Sequence, residues 1–161
     1  MMYLRLGAVA AFLIILTADV AICAGATSGW DSLQGHKMVE VEVILDSEAV
    51  ARGLTMDYVQ TMVELRLLQA GITVSAGSGG ILRVKVSTVF DHPTSAAHID
   101  VAFVQLVYLT HPPFAVTTFA ETWSTSALDL ASASDFPQYL EDGLNRCIER
   151  FINRWLAANP R

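Results

Sequence analysis

Histidine is the residue type in this sequence that is best suited to binding a metal ion. The sequence holds four of them, His36, His92, His98 and His111. If a turn joins two strands near residue 92, then His92, His98 and Asp100 could converge on one ion at the surface. Their spacing matches no established ligand pattern, and a single histidine in a loop is usually solvated. We therefore expect no metal ion and keep a metal-dependent enzyme or a hydrolase only as an alternative.

The nucleophiles of this sequence do not stand in the patterns that activate them. No serine lies in a G-x-S-x-G turn, and the GSGG stretch at residues 77–80 joins two predicted strands, so it opens no helix that would cradle a phosphate. Cys147 falls within an apolar helical stripe, where a thiol is buried and inert. Glu40 and Glu42 point outward on one strand, unlike an enclosed catalytic pair. We expect no catalytic residue, no cofactor and no enzymatic activity.

An arginine interrupts the apolar side of the first long predicted helix. In VELRLLQAGITV, residues 63–74, Arg66 falls in the same arc as Val59 and Val63. A guanidinium there either extends to the surface on its aliphatic stem, pairs with a buried carboxylate, or anchors a ligand between helix and sheet. We favour a structural role and keep ligand anchoring as the alternative.

The composition indicates a single domain and excludes nucleic acid as a partner. The chain has 161 residues, of which 53% are hydrophobic and 16% are charged, and its formal net charge is −6. There is no basic run to neutralise phosphates, apart from one helical stripe of arginines near the C-terminal end. The apolar content is ample for one core.

The first 26 residues have the layout of an export signal. Arg5 supplies the positive charge, an uncharged apolar stretch follows, and residues 24–26 form a small-x-small cleavage site. We therefore expect an exported protein located in the periplasm. Two alternatives stay open: a retained anchor, which would place Asp19 inside the bilayer, and lipidation at Cys23, although no small residue precedes this cysteine. In either case the membrane would be a partner through this segment alone.

Five runs of residues predict β-strands. The run at 38–45 begins with a strict alternation of apolar and polar residues, and the run at 81–90 also alternates. The run at 98–110 is apolar on both of its faces, which exceeds what a sheet covered on one side needs. The predicted strands lie at residues 38–45, 72–76, 81–90, 98–110 and 117–126.

Two helices complete the predicted domain. Thr55 is a suitable N-cap and Gly71 a suitable C-terminal stop for the first helix, and from Phe136 onward apolar residues recur every three or four positions. The element order β-α-β-β-β-β-α predicts an α+β fold. It is a two-layer sandwich in which two helices pack on one face of a four- to five-stranded, mainly antiparallel sheet. We place this domain at residues 38–158, after a polar tether at residues 27–37.

The second face of the predicted sheet is the candidate interaction surface. If the alternate residues of the 98–110 strand point at the helices, then Leu106 and Tyr108 lie on the other face, and Trp123 joins them if the phase of the last strand permits. An apolar surface of this kind binds another protein, a second copy or an apolar ligand. Alternatively, the tether or the loop after this strand covers the surface, or Trp123 belongs to the core. We expect an envelope protein as partner, or self-association, and keep an apolar ligand as the alternative.

Three segments together resemble an uncharacterised family of small exported bacterial proteins. They are VELRLLQAGI at residues 63–72, ETWSTSALDLAS at residues 121–132 and FINRWLAANP at residues 151–160. The order of elements is also similar to that of the outer-membrane lipopolysaccharide-assembly lipoprotein and of the N-terminal domain of the periplasmic TolB protein. These resemblances imply helices on a small sheet and a role in binding partners without catalysis.

Overall fold

The computed structural model describes residues 32–91, 94–111, 114–132 and 134–160. The predicted export signal at residues 1–26, which includes the alternative lipidation site Cys23, lies outside these residues. Residues 27–31 of the predicted tether lie outside them as well. Across the described part of the chain, no helix is both long enough and apolar enough to cross a bilayer.

The domain is an α+β sandwich built on a five-stranded sheet, which confirms the predicted fold class. In chain order the elements are β1 (Met38–Leu45), α1 (Ser47–Ala51), α2 (Met56–Gln69), β2 (Thr73–Val74), β3 (Gly80–Asp91), β4 (Thr94–His111), β5 (Phe114–Ser132) and α3 (Phe136–Ala158). The strand order across the sheet is β2-β1-β3-β4-β5. β1 pairs in parallel with both of its neighbours, whereas β3, β4 and β5 form an antiparallel meander. The short helix α1 is the one element in the described residues that was not predicted.

The ends of α2 follow from its capping residues. The Thr55 side chain accepts a hydrogen bond from the Tyr58 N–H at 3.2 Å, and this satisfies a donor at the first turn that has no partner within the helix. Gly71 follows the last turn with a φ of 76°, a left-handed conformation that glycine adopts without a steric penalty. Both ends are therefore as predicted.

The core lies between the sheet and the two long helices. α2 buries Val59, Val63 and Leu67, which are spaced four residues apart. α3 buries a longer stripe that consists of Phe136, Leu140, Gly143, Leu144, Cys147, Ile148, Phe151 and Trp155. The large apolar side chains of this stripe stabilise the fold by about 1.5–3 kcal/mol each relative to exposure. These two stripes face the buried alternate residues of the sheet, which are Val39, Val41, Leu82, Val84, Val86, Ile99, Val101 and Phe103.

Asp46 joins the end of β1 to β3 and begins α1. Its Oδ1 accepts a hydrogen bond from the Ala49 N–H at 2.8 Å, which caps α1. Its two carboxylate oxygens also accept from the backbone N–H and the hydroxyl of Thr88, at 2.5 and 3.0 Å. Partial burial acts to raise the pKa of Asp46, but these hydrogen bonds from Thr88 and Ala49 outweigh it and hold the pKa below the ordinary value of 3.8.

Residues 32–37 are part of the folded domain, so the predicted tether is wrong for this segment. Leu33 is fully buried in the core. Its carbonyl accepts a hydrogen bond from the Asn159 side-chain amide at 2.8 Å, and the Gly35 N–H donates to the Asn159 Oδ1 at 2.8 Å. Leu33 is a single apolar residue among polar ones, and a single residue has no periodicity that would predict its burial.

A β-bulge in β5 determines which of its residues face the helices. Phe103 pairs with Trp123 while the next residue, Val104, pairs with Glu121, so Thr122 is an extra residue in β5. One extra residue reverses the alternation of side chains, so Glu121 and Trp123 point to opposite faces of the sheet. Trp123 therefore points towards the helices, where its ring lies edge-on to the ring of Phe151 with 5.3 Å between centroids.

Candidate functional site

The paired ends of β4 and β5 continue past the point where the rest of the sheet stops. β3 begins at Gly80, which pairs with Gln105. From residue 106 onward, β4 has β5 as its one described partner, in a register that pairs residues 106–111 with residues 114–119. We call these twelve residues the hairpin arm. The arm is a two-stranded ribbon with no third strand beside it in the described structure.

The hairpin arm carries large apolar side chains on both of its faces. Residues that pair directly across an antiparallel ladder share a face, and successive residues alternate between faces. Leu106 pairs with Phe119 on one face, with Tyr108 beside them, and Leu109 pairs with Val116 on the other. Each of these five side chains is more than half exposed. The arm therefore presents apolar surface to solvent on two sides.

A hydrogen-bonded side chain fixes the root of the hairpin arm. The Gln105 side-chain amide donates to the Thr122 hydroxyl at 2.9 Å and to the Ser32 carbonyl at 3.2 Å. Its Oε1 lies 2.7 Å from the Nε2 of His36, and the ring of His36 lies edge-on to the Phe103 ring. The arm therefore leaves the domain from a position that the core and residues 32–37 hold in place.

The structure brings together two of the three residues predicted from sequence as an interface. Leu106 and Tyr108 lie on the same face of the hairpin arm, and both are exposed. Trp123 does not join them, because the bulge at Thr122 turns it towards α3, where it packs against the core. Phe119, which the sequence analysis did not single out, takes the place beside Leu106. The predicted last strand, residues 117–126, includes Phe119, but the prediction gave no pairing that would have placed it beside Leu106.

We call the sheet face opposite the helices the uncovered sheet face. Its middle is polar, so the apolar surface is not continuous across the sheet. Arg83 and Glu42 form an ion pair at 2.7 Å on neighbouring strands there. Beyond this polar band, Val89, Leu128 and Leu130 are exposed at the other end of the same face. The hairpin arm is therefore a separate surface and not the edge of one large patch.

Arg66 is exposed, so the predicted alternative of a buried ion pair is wrong. The buried stripe of α2 runs through Val59, Val63 and Leu67, and Arg66 lies beside that stripe. Within the described residues, no carboxylate lies within 4.0 Å of its guanidinium. A long aliphatic stem lets an arginine leave an apolar arc in this way without burying its charge.

A partly open cavity of about 460 Å³ lies at the far end of β3 from the hairpin arm. Its apolar lining consists of Ala49, Leu54, Phe90, Phe136, Pro137, Leu140 and Leu144. Its polar lining includes Arg52, Tyr58 and Glu141, and Arg66 is not part of it. The arginine that lines this cavity is thus Arg52, which is itself exposed. The cavity was not predicted, because no local pattern in the sequence signals a gap between elements that are distant along the chain.

Arg52 is held against the wall of the cavity by an aromatic ring. The central carbon of its guanidinium lies 4.3 Å from the centroid of the Phe90 ring, an arrangement in which the ring face attracts the positive charge. Phe90 in turn packs edge-on against Phe136, with 4.6 Å between centroids. Arg52 and Glu48 form a weak, exposed ion pair one helical turn apart, with 3.9 Å between Arg52 Nε and the carboxylate oxygen, which is beyond hydrogen-bonding distance.

The histidines that could have formed a metal site are not brought together in the described residues. His92 lies outside them. His98 is exposed on the uncovered sheet face, two residues before Asp100 on β4, and His36 contacts Gln105 at the root of the arm. In the part of the chain that the structure covers, no group of three or more His, Cys, Asp or Glu residues could hold a metal ion.

Cys147 is fully buried in the stripe of α3 that faces the sheet. Burial raises the pKa of the Cys147 thiol above its ordinary value of 9.0, and the positive charges of Arg150 and Arg146 offset this only in part. A buried neutral thiol is a poor nucleophile, because the thiolate is the reactive form.

Comparisons with known proteins find similar chains among the solved structures. No protein-family model matches the sequence, and no curated protein matches it. A solved structure, a minor lipoprotein from Acinetobacter baumannii determined at 2.35 Å, is 12% identical over 76% of this chain and 94% of its own, with a TM-score of 0.41. Similarity at this level assigns no function. The resemblance of the three sequence segments to small exported bacterial proteins therefore stays a prediction.

Proposed function

We propose that this protein is an exported binding module of the bacterial cell envelope, that it acts without catalysis, and that it holds a partner protein through the hairpin arm. The observation that carries the proposal is the exposure of Leu106, Tyr108, Leu109, Val116 and Phe119 on the two faces of the arm. The layout of the first 26 residues supports export.

The hairpin arm has no core of its own. A two-stranded ribbon is marginally stable in water unless something covers one of its faces. Burying a large apolar side chain on binding is worth about 1.5–3 kcal/mol before the costs of association are subtracted. Tyrosine and other aromatic residues are also typical of the centres of protein interfaces. A partner that covers Leu106, Tyr108 and Phe119 would therefore gain affinity and also stabilise the arm.

The fixed root of the arm makes this arrangement suited to recognition. Gln105 is held by hydrogen bonds to Thr122 and Ser32, so the direction in which the arm leaves the domain is set before a partner arrives. A preformed surface loses less conformational entropy on binding than a flexible segment does.

The experiment is photo-crosslinking in the native cell envelope, with a photoreactive residue placed at Tyr108 and a control at Asn153. Asn153 is also exposed but lies on α3. We expect a discrete crosslinked product from Tyr108 alone, with the partner identified by mass spectrometry. A product that contains peptides of this chain only would identify a second copy as the partner. No product from Tyr108, or the same products from both positions, would overturn the proposal.

A pair of substitutions distinguishes specific binding by the hairpin arm from nonspecific binding by exposed apolar side chains. Leu106→Ser removes an apolar side chain next to Tyr108, and Leu128→Ser removes one that is more exposed but lies at the other end of the same sheet face. We expect Leu106→Ser to reduce the yield from Tyr108 by about tenfold, the effect of losing roughly 1.4 kcal/mol. Leu128→Ser should leave the yield unchanged.

A further inference from the structure

The cavity at the far end of β3 has the size and position of a site for a small organic ligand. Its volume of about 460 Å³ falls within the range of roughly 300–1,000 Å³ that is typical of such sites. It lies between the α1–α2 connection and the first half of α3, and it is partly open to solvent. A ligand could therefore enter without unfolding the domain. This site is separate from the hairpin arm and does not depend on the function proposed for it.

The apolar wall of the cavity is rigid. Phe136, Leu140 and Leu144 occupy the same side of α3 at intervals of four residues, and all three are buried in the core. The Phe90 ring closes the wall from β3 and packs against Phe136. Side chains that are fixed by core packing cannot collapse to fill a gap of this size, so the cavity persists without a ligand.

One cationic group is held at this wall with its hydrogen-bonding capacity unused. The Arg52 guanidinium lies over the Phe90 ring, with its central carbon 4.3 Å from the ring centroid. Within the described residues its N–H groups make no hydrogen bond, and Glu48 is 3.9 Å away. The edge of a guanidinium matches the oxygen atoms of a carboxylate or a phosphate, which can accept two parallel hydrogen bonds.

We infer that this cavity binds an amphipathic anion, whose apolar body lies against Phe90, Phe136 and Leu140 and whose anionic head group is held by Arg52. Two carboxylates bear on the sign of the charge. Glu141 lines the cavity and is exposed, and Glu48 is the neighbour of Arg52. A cationic ligand would meet the repulsion of Arg52 and would have to displace it from the Phe90 ring, so an anion is the better fit.

The test measures binding of 1-anilinonaphthalene-8-sulfonate to the purified full chain by fluorescence, with decanoate and decan-1-ol as competitors. Decanoate and decan-1-ol share the apolar body and differ in the charge of the head group. In Arg52→Gln, we expect decanoate to bind about tenfold more weakly, the effect of losing one charged hydrogen-bonded contact of roughly 1.4 kcal/mol. Decan-1-ol should bind as it does to the wild type. Arg66→Gln is the matched control, because Arg66 is exposed and does not line the cavity.

Three further variants locate the site and the sign of its charge. Leu54→Trp places a larger side chain in the cavity lining, and we expect it to abolish binding of both competitors. Leu106→Ser, on the hairpin arm, should leave both unchanged. Glu141→Gln should strengthen binding of decanoate by about twofold, because it removes a like charge at a partly solvated distance.

Several results would overturn the inference, and each is distinct from a failure of the proposed function. One is the absence of saturable decanoate binding to the wild-type chain. Another is an equal weakening by Arg52→Gln and Arg66→Gln. If Arg52→Gln strengthened binding or Glu141→Gln weakened it, the cavity would favour a cation instead. If Leu54→Trp fails to fold by circular dichroism, the Arg52 and Arg66 pair still decides the matter, and crosslinking from Tyr108 tests the arm independently.

Discussion

Gly80→Ala is a small substitution that we expect to destabilise the domain where the hairpin arm leaves it. Gly80 is the first residue of β3, and a Cβ atom added there would lie 2.8 Å from Cε2 of Phe103 and closer still to its Cζ. Phe103 is fully buried, and its ring contacts the rings of His36, Phe151 and Trp155. The ring cannot move aside without displacing these neighbours.

The expected change in the free energy of unfolding follows from two opposing effects. Forcing an extra methyl group into a packed core costs about 1–3 kcal/mol. Replacing glycine by alanine recovers about 0.4–1 kcal/mol, because the unfolded chain has less conformational freedom to lose. We therefore expect Gly80→Ala to lower the free energy of unfolding by about 1–2 kcal/mol, which urea denaturation followed by circular dichroism can measure.

A double-mutant cycle tests whether the Phe103 ring causes this loss of stability. In a Phe103→Leu background the ring atoms that obstruct the new methyl group are gone, so Gly80→Ala should cost less than about 0.5 kcal/mol there. An equal cost in both backgrounds would mean that the penalty does not arise from the Phe103 ring. A cost near zero in the wild-type background would refute the close packing at Gly80 itself.

Three other perturbations test separate features of the fold. Asp46→Ala should lower the free energy of unfolding by about 2–4 kcal/mol at pH 7, because it removes a helix cap and charged hydrogen bonds to Thr88. Since the pKa of Asp46 is lowered in the folded state, the stability difference between the wild type and Asp46→Ala is present above pH 3.8 and should shrink as the pH falls below it. A difference that stays constant in urea titrations at several pH values would contradict this. Cys147 should resist iodoacetamide in the native state and react after denaturation. Because burial raises the pKa of its thiol, its contribution to stability should fall as the pH rises through 9.0. Deletion of Thr122 should cost about 2–4 kcal/mol, because it restores the alternation of β5 and forces either Trp123 or the arm onto the wrong face; a thermal unfolding curve like that of the wild type would contradict the role of the bulge.

Local sequence patterns were sufficient for the elements whose residues carry their own signals. Thr55 and Gly71 mark the ends of α2 by capping chemistry, which depends on a few neighbouring residues. The stripe of α3 is visible because apolar residues recur at helical intervals over 20 positions from Phe136 to Trp155. Alternation likewise located β1 at residues 38–45, because one of its faces is buried and the other is not.

The features that the sequence did not reveal depend on contacts between distant residues. β4 and β5 run longer than predicted, since each is extended by pairing with the other and not by its own composition. The bulge at Thr122 carries no glycine or other local mark, so the face of Trp123 could not be read from alternation alone. The cavity is lined by Phe90 of β3 and Phe136 of α3, which lie in contact although they are far apart in the sequence.

The hydrogen bonds of Asn159 bear on the time at which this protein can finish folding. Leu33 and Gly35 are held by a residue 126 and 124 positions further along the chain, and a third of the buried core residues belong to α3, which immediately precedes it. Neither contact can form until Asn159 has been synthesised and has left the ribosome, and closing so long a loop is slow. Residues 33–35 therefore stay unattached until almost all of the domain has been made, and such a delay would help a chain that crosses a membrane unfolded, as the proposed export requires.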